Sequence, residues 1–572
     1  MVLGRADSKG KGASGRIRET LREDRVLDTH IAGPCPTRAG SPTMERGFIL
    51  LEQEKNQNVY QDWSQIIERN AKNFTNKIYI ESLDQGRGVT FGEMNIYCNQ
   101  ISGFLRKKKI VAGDKVSLIG KNTIETLIIY FGILKYGAIV NPIFFEESES
   151  NFYRIVNMVK PKIIFFDEDL NLDADQCPSS DWIKFSEHGT GQDGDGFFKQ
   201  IITYDPIFNG QNIKKEDVCV VLYTSGTTET PKGIHISREG LFYMTDEIVD
   251  RTGMTSQDRV LEYRAYNWAS VQLLTVLSSM FNGATLFLAK KFSRRHFPDW
   301  LKKHDITISS GVPAVINMLI NEPVELGRDN VSSLKYITSS SAPLSVESHL
   351  RFEELYGIPI QQMMGMSEAG WMVGNPPGRR KVGSVGLPMK HKEIRFLNEQ
   401  GNECAPGEAG EMVVGGRSMG LCYVKDDGNT ERFPEDGFPT GDLGYKDEEG
   451  YIYITGRKKD LIIRGGINIS PMEITSRVME HPAISEAATL GVPDSIYGEE
   501  VVCFAVAKTG AGTSADEIIG HCKKTLPDFK IPKKIIFLDS LPRNQRGKVA
   551  KNDLLRLFEK QGKINKKRRG KK

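Results

Sequence analysis

Cysteine is sparse in this sequence and is not arranged for chemistry. Eight cysteines occur in 572 residues, at 35, 98, 177, 219, 404, 422, 503 and 522, with no CxxC pair and no histidine cluster beside them. That scatter argues against a zinc module or a disulfide framework and suits a reducing, cytoplasmic setting. Long uncharged apolar runs are missing as well. The best candidate, residues 126–145 (TLIIYFGILKYGAIVNPIFF), is broken by Lys135, two glycines and a proline. It reads as a buried helix passing through Gly137 into a short strand, with no transmembrane segment expected. A charge excess is lacking too: 76 Lys+Arg oppose 73 Asp+Glu, for a net +3. Nucleic acid is therefore not an expected partner.

The near-neutral sum conceals an uneven distribution. Residues 560–572 hold eight Lys/Arg and no acid, and residues 1–43 hold eight basic against five acidic side chains. The body between them is mildly acidic. Residues 1–43 have no apolar core of a secretory signal, and Glu19, Glu23, Asp24 and Asp28 interrupt what a transit peptide would need. They read as a disordered basic extension, with Met44 as an alternative start. The basic tail reads as a solvated, disordered segment, and weak contact with an anionic membrane surface is the competing expectation.

At roughly one domain per 150 residues the length implies two to four domains. Apolar runs such as KIIFF, VCVVLYTS, TLFLA and KYITSSS alternate with helix-like segments such as FPDWLKKH and SVESHLRFEELYG, the pattern of α/β layers with parallel sheets. Residues 382–456 turn to short strands between glycine-rich turns and should be mostly antiparallel. After the charged stretch RKKD, about a hundred residues read as a separate α+β unit. The expected domains are a large body over 44–458, a small cap over 459–559 and the tail.

Chemistry concentrates in four places. Residues 223–233 (YTSGTTETPKG) follow a buried strand and combine hydroxyls, two glycines and Lys232. Backbone N–H groups, hydroxyls and one ammonium together suit a polyphosphate. The spacing is not that of the Walker loop. A lone TSG would be an ordinary turn, but eleven residues of this composition favour a ligand.

This loop resembles the phosphate loop of the AMP-forming adenylating superfamily, which includes acyl-CoA synthetases, adenylation domains and luciferases. MGMSEAG at 364–370, the segment 438–474 beginning FPTGDLG, and LPRNQRGKVAKNDL at 541–554 resemble further motifs of that superfamily in the same order. The resemblance spans about 44–558. It implies a large N-terminal domain of two α/β layered sheets plus an antiparallel part, with a small mobile C-terminal domain.

The resemblance also implies roles. Thr224, Ser225, Gly226, Thr227, Thr228 and Lys232 would cradle the ATP phosphates. Ser367 would contact the α-phosphate, and Glu368 would offer a hard oxygen to Mg²⁺. Met364, where the superfamily commonly has an aromatic residue, would lie with Gly365 beside adenine. Asp442 would accept the ribose hydroxyls and Arg457 would contact ribose and phosphate. Lys459 would be the hinge of the small domain. Lys548 would bridge the attacking carboxylate and the α-phosphate. After a swing about Lys459, Gly465 and Gly466 would help form the pantetheine tunnel for coenzyme A.

Pocket walls would come from 262–270, 309–315, 339–344 and the residues after Glu368, so that Tyr266, Trp268, Val312 and Trp371 could line it. Packing in an ordinary core explains those aromatics equally well. Glu262 is the lone acid in 262–270 and precedes the position of the aspartate found in amino-acid-activating relatives, which disfavours an amino-acid substrate. RAYNWAS stands where CoA-using members often have a PLFH-like stretch. Two tryptophans would favour a short, cyclic or aromatic acid. The expected activity is an AMP-forming carboxylic acid:CoA ligase. The alternatives are loading of a separate carrier protein, a luciferase-like oxygenase, and a nucleic-acid or anionic-membrane binder acting through the basic tail.

Overall fold

Residues 124–136 are apolar on every side, and a helix of that kind must be covered all round. In the computed structural model the helix Ile124–Tyr136 is buried at every position, capped by the Thr123 hydroxyl and ended by Gly137 at φ +104°. It leads into the strand Ile139–Ile143, as its sequence suggests. It packs against the helices Trp63–Asn73 and Phe91–Lys107 and against strands of two different sheets. The single ammonium in it, Lys135, is buried yet satisfied, with Nζ 2.6 Å from Asn95 Oδ1, 2.5 Å from Asn99 Oδ1 and 3.1 Å from Glu68. Paired in this way, a buried charge is tolerable.

The structure describes residues 59–190, 196–208, 210–224, 232–508, 510–543 and 548–569, the last nine by backbone alone. The expectations for residues 1–43, for Ser225, Gly226, Thr227 and Thr228, and for the last three tail residues lie outside these. Among the described residues no helix is long and apolar enough to cross a membrane. The described cysteines are all buried and free.

Two sheets form the body. The nine-stranded sheet runs in the order Leu387–Pro388, Gly370–Gly374, Ile360–Met366, Tyr336–Ser339, Ile308–Ser309, Arg259–Glu262, Thr285–Leu288, Ile78–Ser82 and Arg87–Thr90. Its central strands are parallel. The eight-stranded sheet sets Val218–Tyr223 between Ile139–Ile143 and Gly233–Ser237. A four-stranded antiparallel sheet follows, made of Lys392–Leu397, Gly410–Gly416, Phe438–Lys446 and Ile452–Arg457. In open parallel sheets ligands gather beyond the carboxyl ends of the strands. Residues 262–264, 309–310, 339–340 and 367–368 all sit at such ends.

Past the short turn Lys458–Asp460 a five-stranded sheet is covered by the helices Pro471–Met479 and Ala515–Lys523. Each helix is amphipathic, burying Ile474 and Val478 in one and Ile518 and Cys522 in the other. Proline at the first position starts the former, and a Ser514/Glu517 capping box starts the latter. The tail departs from expectation. The final helix runs Lys551–Arg569, so the backbone of most of the basic segment is helical. The first half of that helix buries Leu554 with Leu555 and Phe558 beside it, and its Lys, Arg and Gln residues are good helix formers that carry the helix on.

Candidate active site

The phosphate-loop motif leaves the strand Val218–Tyr223 and returns in Gly233–Ser237, an antiparallel pair. Its neck is closed at Thr224 and Lys232. The Thr224 N–H donates to the Lys232 carbonyl at 3.1 Å, and the Lys232 N–H donates to Thr224 Oγ1 at 3.1 Å. Lys232 itself is exposed, with Nζ 5.1 Å from the centre of the Tyr423 ring.

Tyr423 connects this loop to the second motif. Its hydroxyl donates to Glu368 Oε1 at 2.6 Å, and burial followed by the nearby carboxylate raises its pKa. Glu368 is buried, and its carbonyl accepts the Gly420 N–H at 2.8 Å. The Ser367 hydroxyl donates to the Tyr223 carbonyl at 2.9 Å, joining the ends of strands from the two large sheets. Gly365 has to be glycine, because a Cβ there would meet the Gly370 carbonyl oxygen at 2.3 Å. Met364 is half-buried and packs on the core under the antiparallel sheet.

The third group spans the strands Phe438–Lys446 and Ile452–Arg457. Their register sets Asp442 opposite Arg457, and Arg457 Nε donates to Asp442 Oδ1 at 2.7 Å. Asp442 is 2% exposed, and burial raises its pKa against the opposing charges of Arg457 and Lys548. Lys548 is half-buried, and its charge opposes the rise at Asp442. Lys459 is exposed in the short turn Lys458–Asp460. Gly465 and Gly466, at φ +59° and +83°, form the exposed turn of the hairpin Ile462–Arg464 to Ile467–Ile469.

The expected pocket residues divide. Tyr266 lies in the core, its hydroxyl donated to the Leu118 carbonyl at 3.1 Å. Val312 is half-buried and caps the helix Pro313–Asn321. Trp268 precedes the helix Ala269–Val271, which continues as a π-helix over Gln272–Leu277, a local widening often found near functional sites. Trp371 is buried in the strand Gly370–Gly374. The indole Nε1 atoms of both tryptophans are buried without a hydrogen-bond partner among the described residues.

The family profile described as AMP-binding enzyme matches residues 67–424, and that of the AMP-binding enzyme C-terminal domain matches 473–548. The chain belongs to the AMP-binding enzyme family. Sulfoacetate–CoA ligase of Cupriavidus necator is 30% identical over 502 residues, covering 87% of this chain and 98% of that protein. Oxalate–CoA ligase of Arabidopsis thaliana is 29% identical over 459 residues, covering 78% and 89%. The crystal structure of ATP-bound MatB from Rhodopseudomonas palustris superposes with a TM-score of 0.80 at 26% identity, over 86% of this chain and 99% of that one.

In this AMP-binding enzyme two features of the site went unread in the sequence. Tyr423 stands in the strand Cys422–Val424, whose burial alternates and whose inward hydroxyl carries no motif. Arg264 and Glu262 form a buried ion pair, Nη2 to Oε2 at 2.7 Å, at the end of the strand Arg259–Glu262. An Arg two residues from a Glu after a buried strand was the available signal. Among the described residues no group of three or more His, Cys, Asp or Glu side chains could hold a metal. Glu368 alone fits Mg²⁺ of the kind that arrives with a nucleotide, where one carboxylate and the substrate phosphates suffice.

Proposed function

We propose that this protein is an AMP-forming carboxylic acid:CoA ligase, acting in two steps. A carboxylate and ATP give acyl-AMP and pyrophosphate; coenzyme A then displaces AMP to give the thioester. The observation that carries the reading is the buried Asp442 held by Arg457 Nε at 2.7 Å, with the charge of Lys548 also acting on its carboxyl. A lysine of the small domain thus acts on the ribose-binding carboxylate of the large one, as the first step requires.

Thr224 and Lys232 hold the mouth of the phosphate loop, and the Lys232 ammonium meets phosphate charge. Ser367 and the buried Glu368 border the α-phosphate. Bound Mg²⁺ would be held by Glu368 and would offset phosphate charge during the transfer. Asp442 accepts the ribose hydroxyls while Arg457 holds it in place. Lys548 lies between two anions, the substrate carboxylate and the α-phosphate, and stabilises the charge that develops as they join. A turn about Lys459 then withdraws Lys548 and presents Gly465 and Gly466 to the thiol. Glu262 is bound up by Arg264, so no free carboxylate there would receive an amino-acid ammonium. The substrates fit a cytoplasmic setting, and the basic composition of residues 560–572 suits weak contact with anionic membrane.

The test is AMP and pyrophosphate release across a panel of carboxylic acids, with and without coenzyme A. Release that needs both acid and CoA is expected. Acid-dependent adenylate formation without use of CoA would instead indicate a separate acyl carrier protein, and no turnover with any acid would overturn the reading.

A further inference from the structure

The strands Arg259–Glu262, Ile308–Ser309, Tyr336–Ser339 and Ile360–Met366 are consecutive and parallel in one sheet. Their carboxyl ends therefore lie along one edge of the sheet, where ligands gather in open parallel sheets, and Glu368 follows the last of them. Arg264 follows the first of them and is 5% exposed. Its Nε and Nη2 donate to the two oxygens of Glu262, at 2.9 and 2.7 Å.

Glu262 is saturated. Besides Arg264 it receives Ser310 Oγ at 2.8 Å, Thr275 Oγ1 at 3.0 Å, and the N–H groups of Tyr263 and Arg264 at 2.9 and 2.8 Å. Arg264 is not saturated. Nη1 has Ser340 Oγ as its partner, at 3.5 Å, the outer edge of hydrogen bonding. Ser339 immediately precedes Ser340, and Trp268 follows Arg264 by four residues; Ser339 Oγ, Trp268 Nε1 and Trp371 Nε1 are buried with no partner among the described residues. The short helix after Trp268 packs on the strands Ile360–Met366 and Gly370–Gly374, the latter carrying Trp371.

Guanidinium and indole groups donate and cannot accept. Buried donors without a match are complementary to a ligand rich in acceptor oxygens, and a low-dielectric setting strengthens each bond. An acid carrying only the carboxylate that reacts would leave those donors unmatched. Ser340 and Glu368 follow neighbouring strands, which are spaced by about 4.8 Å. The group that meets Arg264 is therefore close to the carboxylate that is activated.

We propose that Arg264 binds a second oxyanion on the substrate, so that the acids activated are short ones bearing a carboxylate or sulfonate at the end away from the reacting carboxylate. This rests on the ligase reading above. The test uses the full-length protein with MgATP and CoA and measures kcat/KM for AMP release on pairs matched in shape: malonate with 3-methylbutanoate, succinate with 4-methylpentanoate, and sulfoacetate with 3,3-dimethylbutanoate. At least one charged member should exceed its neutral partner tenfold or more, and the pair that does so tells carboxylate from sulfonate. Arg264→Lys keeps a cation beside Glu262, and Glu262→Gln with Arg264→Gln removes both charges. Each should lower that ratio at least tenfold. Neutral partners used equally well or better, or a ratio that neither variant moves, would overturn the inference and leave the ligase standing. Failure of every acid, long-chain and aromatic ones included, would overturn the ligase reading and this inference with it.

Discussion

Lys551 Nζ lies 2.6 Å from Asp460 Oδ2, which ties the start of the final helix, three residues past Lys548, to the short turn bearing Lys459. Both side chains are partly exposed, at 42% and 25%, so the pair contributes at most about 1 kcal/mol. Lys551→Ala should therefore slow pyrophosphate release by up to about fivefold. Thioester formation from supplied acyl-AMP should not slow, because that step needs the other arrangement. Stopped-flow measurement of both steps checks this, and an equal loss in both would mean the pair holds the fold generally.

Removal of the neighbouring lysine should be far more severe. If Lys548 stabilises charge in the first transition state, Lys548→Ala should lower pyrophosphate release by about 10²–10³-fold. Supplied acyl-AMP should still be converted to thioester. Parallel loss of the two reactions would contradict the two-arrangement mechanism.

What the sequence revealed and what it hid follow physical lines. Hydroxyl-rich and glycine-rich segments such as 223–233 and 438–444 carry their chemistry in consecutive residues, so local composition exposed them. The helix Ile124–Tyr136 was equally legible, since uniform apolarity admits one solution. Tyr423 reaches Glu368 from 55 residues away, and no local pattern encodes such a contact. The Glu262–Arg264 pair is local in sequence, yet its meaning depends on Ser310 and Ser340 arriving from other strands. The tail misled because charge without an apolar face reads as disorder while the same residues favour helix.

Asp442 predicts a pH dependence. Burial raises its pKa above the ordinary 3.8, so on acidification it takes up a proton earlier than an exposed aspartate would. The neutral form accepts ribose hydroxyls less well, and KM for ATP should rise on that acid limb. Arg457→Gln removes an opposing cation and should move the limb to higher pH, while Asp442→Asn should abolish it. For stability the sign is opposite to that of an ordinary ion-paired aspartate. The folded state binds the proton more tightly, so the contribution of this group is full below the ordinary carboxylate value and is lost as pH rises through the folded one. Initial rates across the acid range test the first claim.

The Tyr423 hydroxyl holds one oxygen of Glu368. A hydrogen bond to a charged group is worth about 1.5–3 kcal/mol, but bound magnesium would recover part of that. Tyr423→Phe should raise the Mg²⁺ concentration needed for half-maximal adenylate formation by about three- to tenfold. The saturating rate should change less. Titration of Mg²⁺ at fixed ATP distinguishes this from a loss of Lys232 positioning, which would lower the saturating rate instead.

Glu247 and Lys392 join the helix Arg238–Thr252 to the antiparallel sheet, 3.1 Å apart with both side chains fully buried. Ser418 completes the group, donating to Glu247 Oε2 at 2.8 Å and accepting from Lys392. Burial pushes the Glu247 carboxyl up to about 7 and the lysine down. Removing one partner strands the other in a dry site, so Lys392→Met should destabilise the protein by about 3–5 kcal/mol in chemical denaturation. The combined Glu247→Gln and Lys392→Met change should recover most of that loss, since neither charge is then buried. A carboxyl whose folded pKa is raised contributes most below its ordinary value near 4.5 and loses that contribution as pH rises through about 7. With the lysine gone, burial is unopposed and the carboxyl is neutral more readily in acid. The deficit of Lys392→Met should therefore be smaller at about pH 5 than at about pH 8, and should vanish as a pH dependence in the double variant. A deficit independent of pH would mean that lost packing, not a stranded carboxylate, sets the cost.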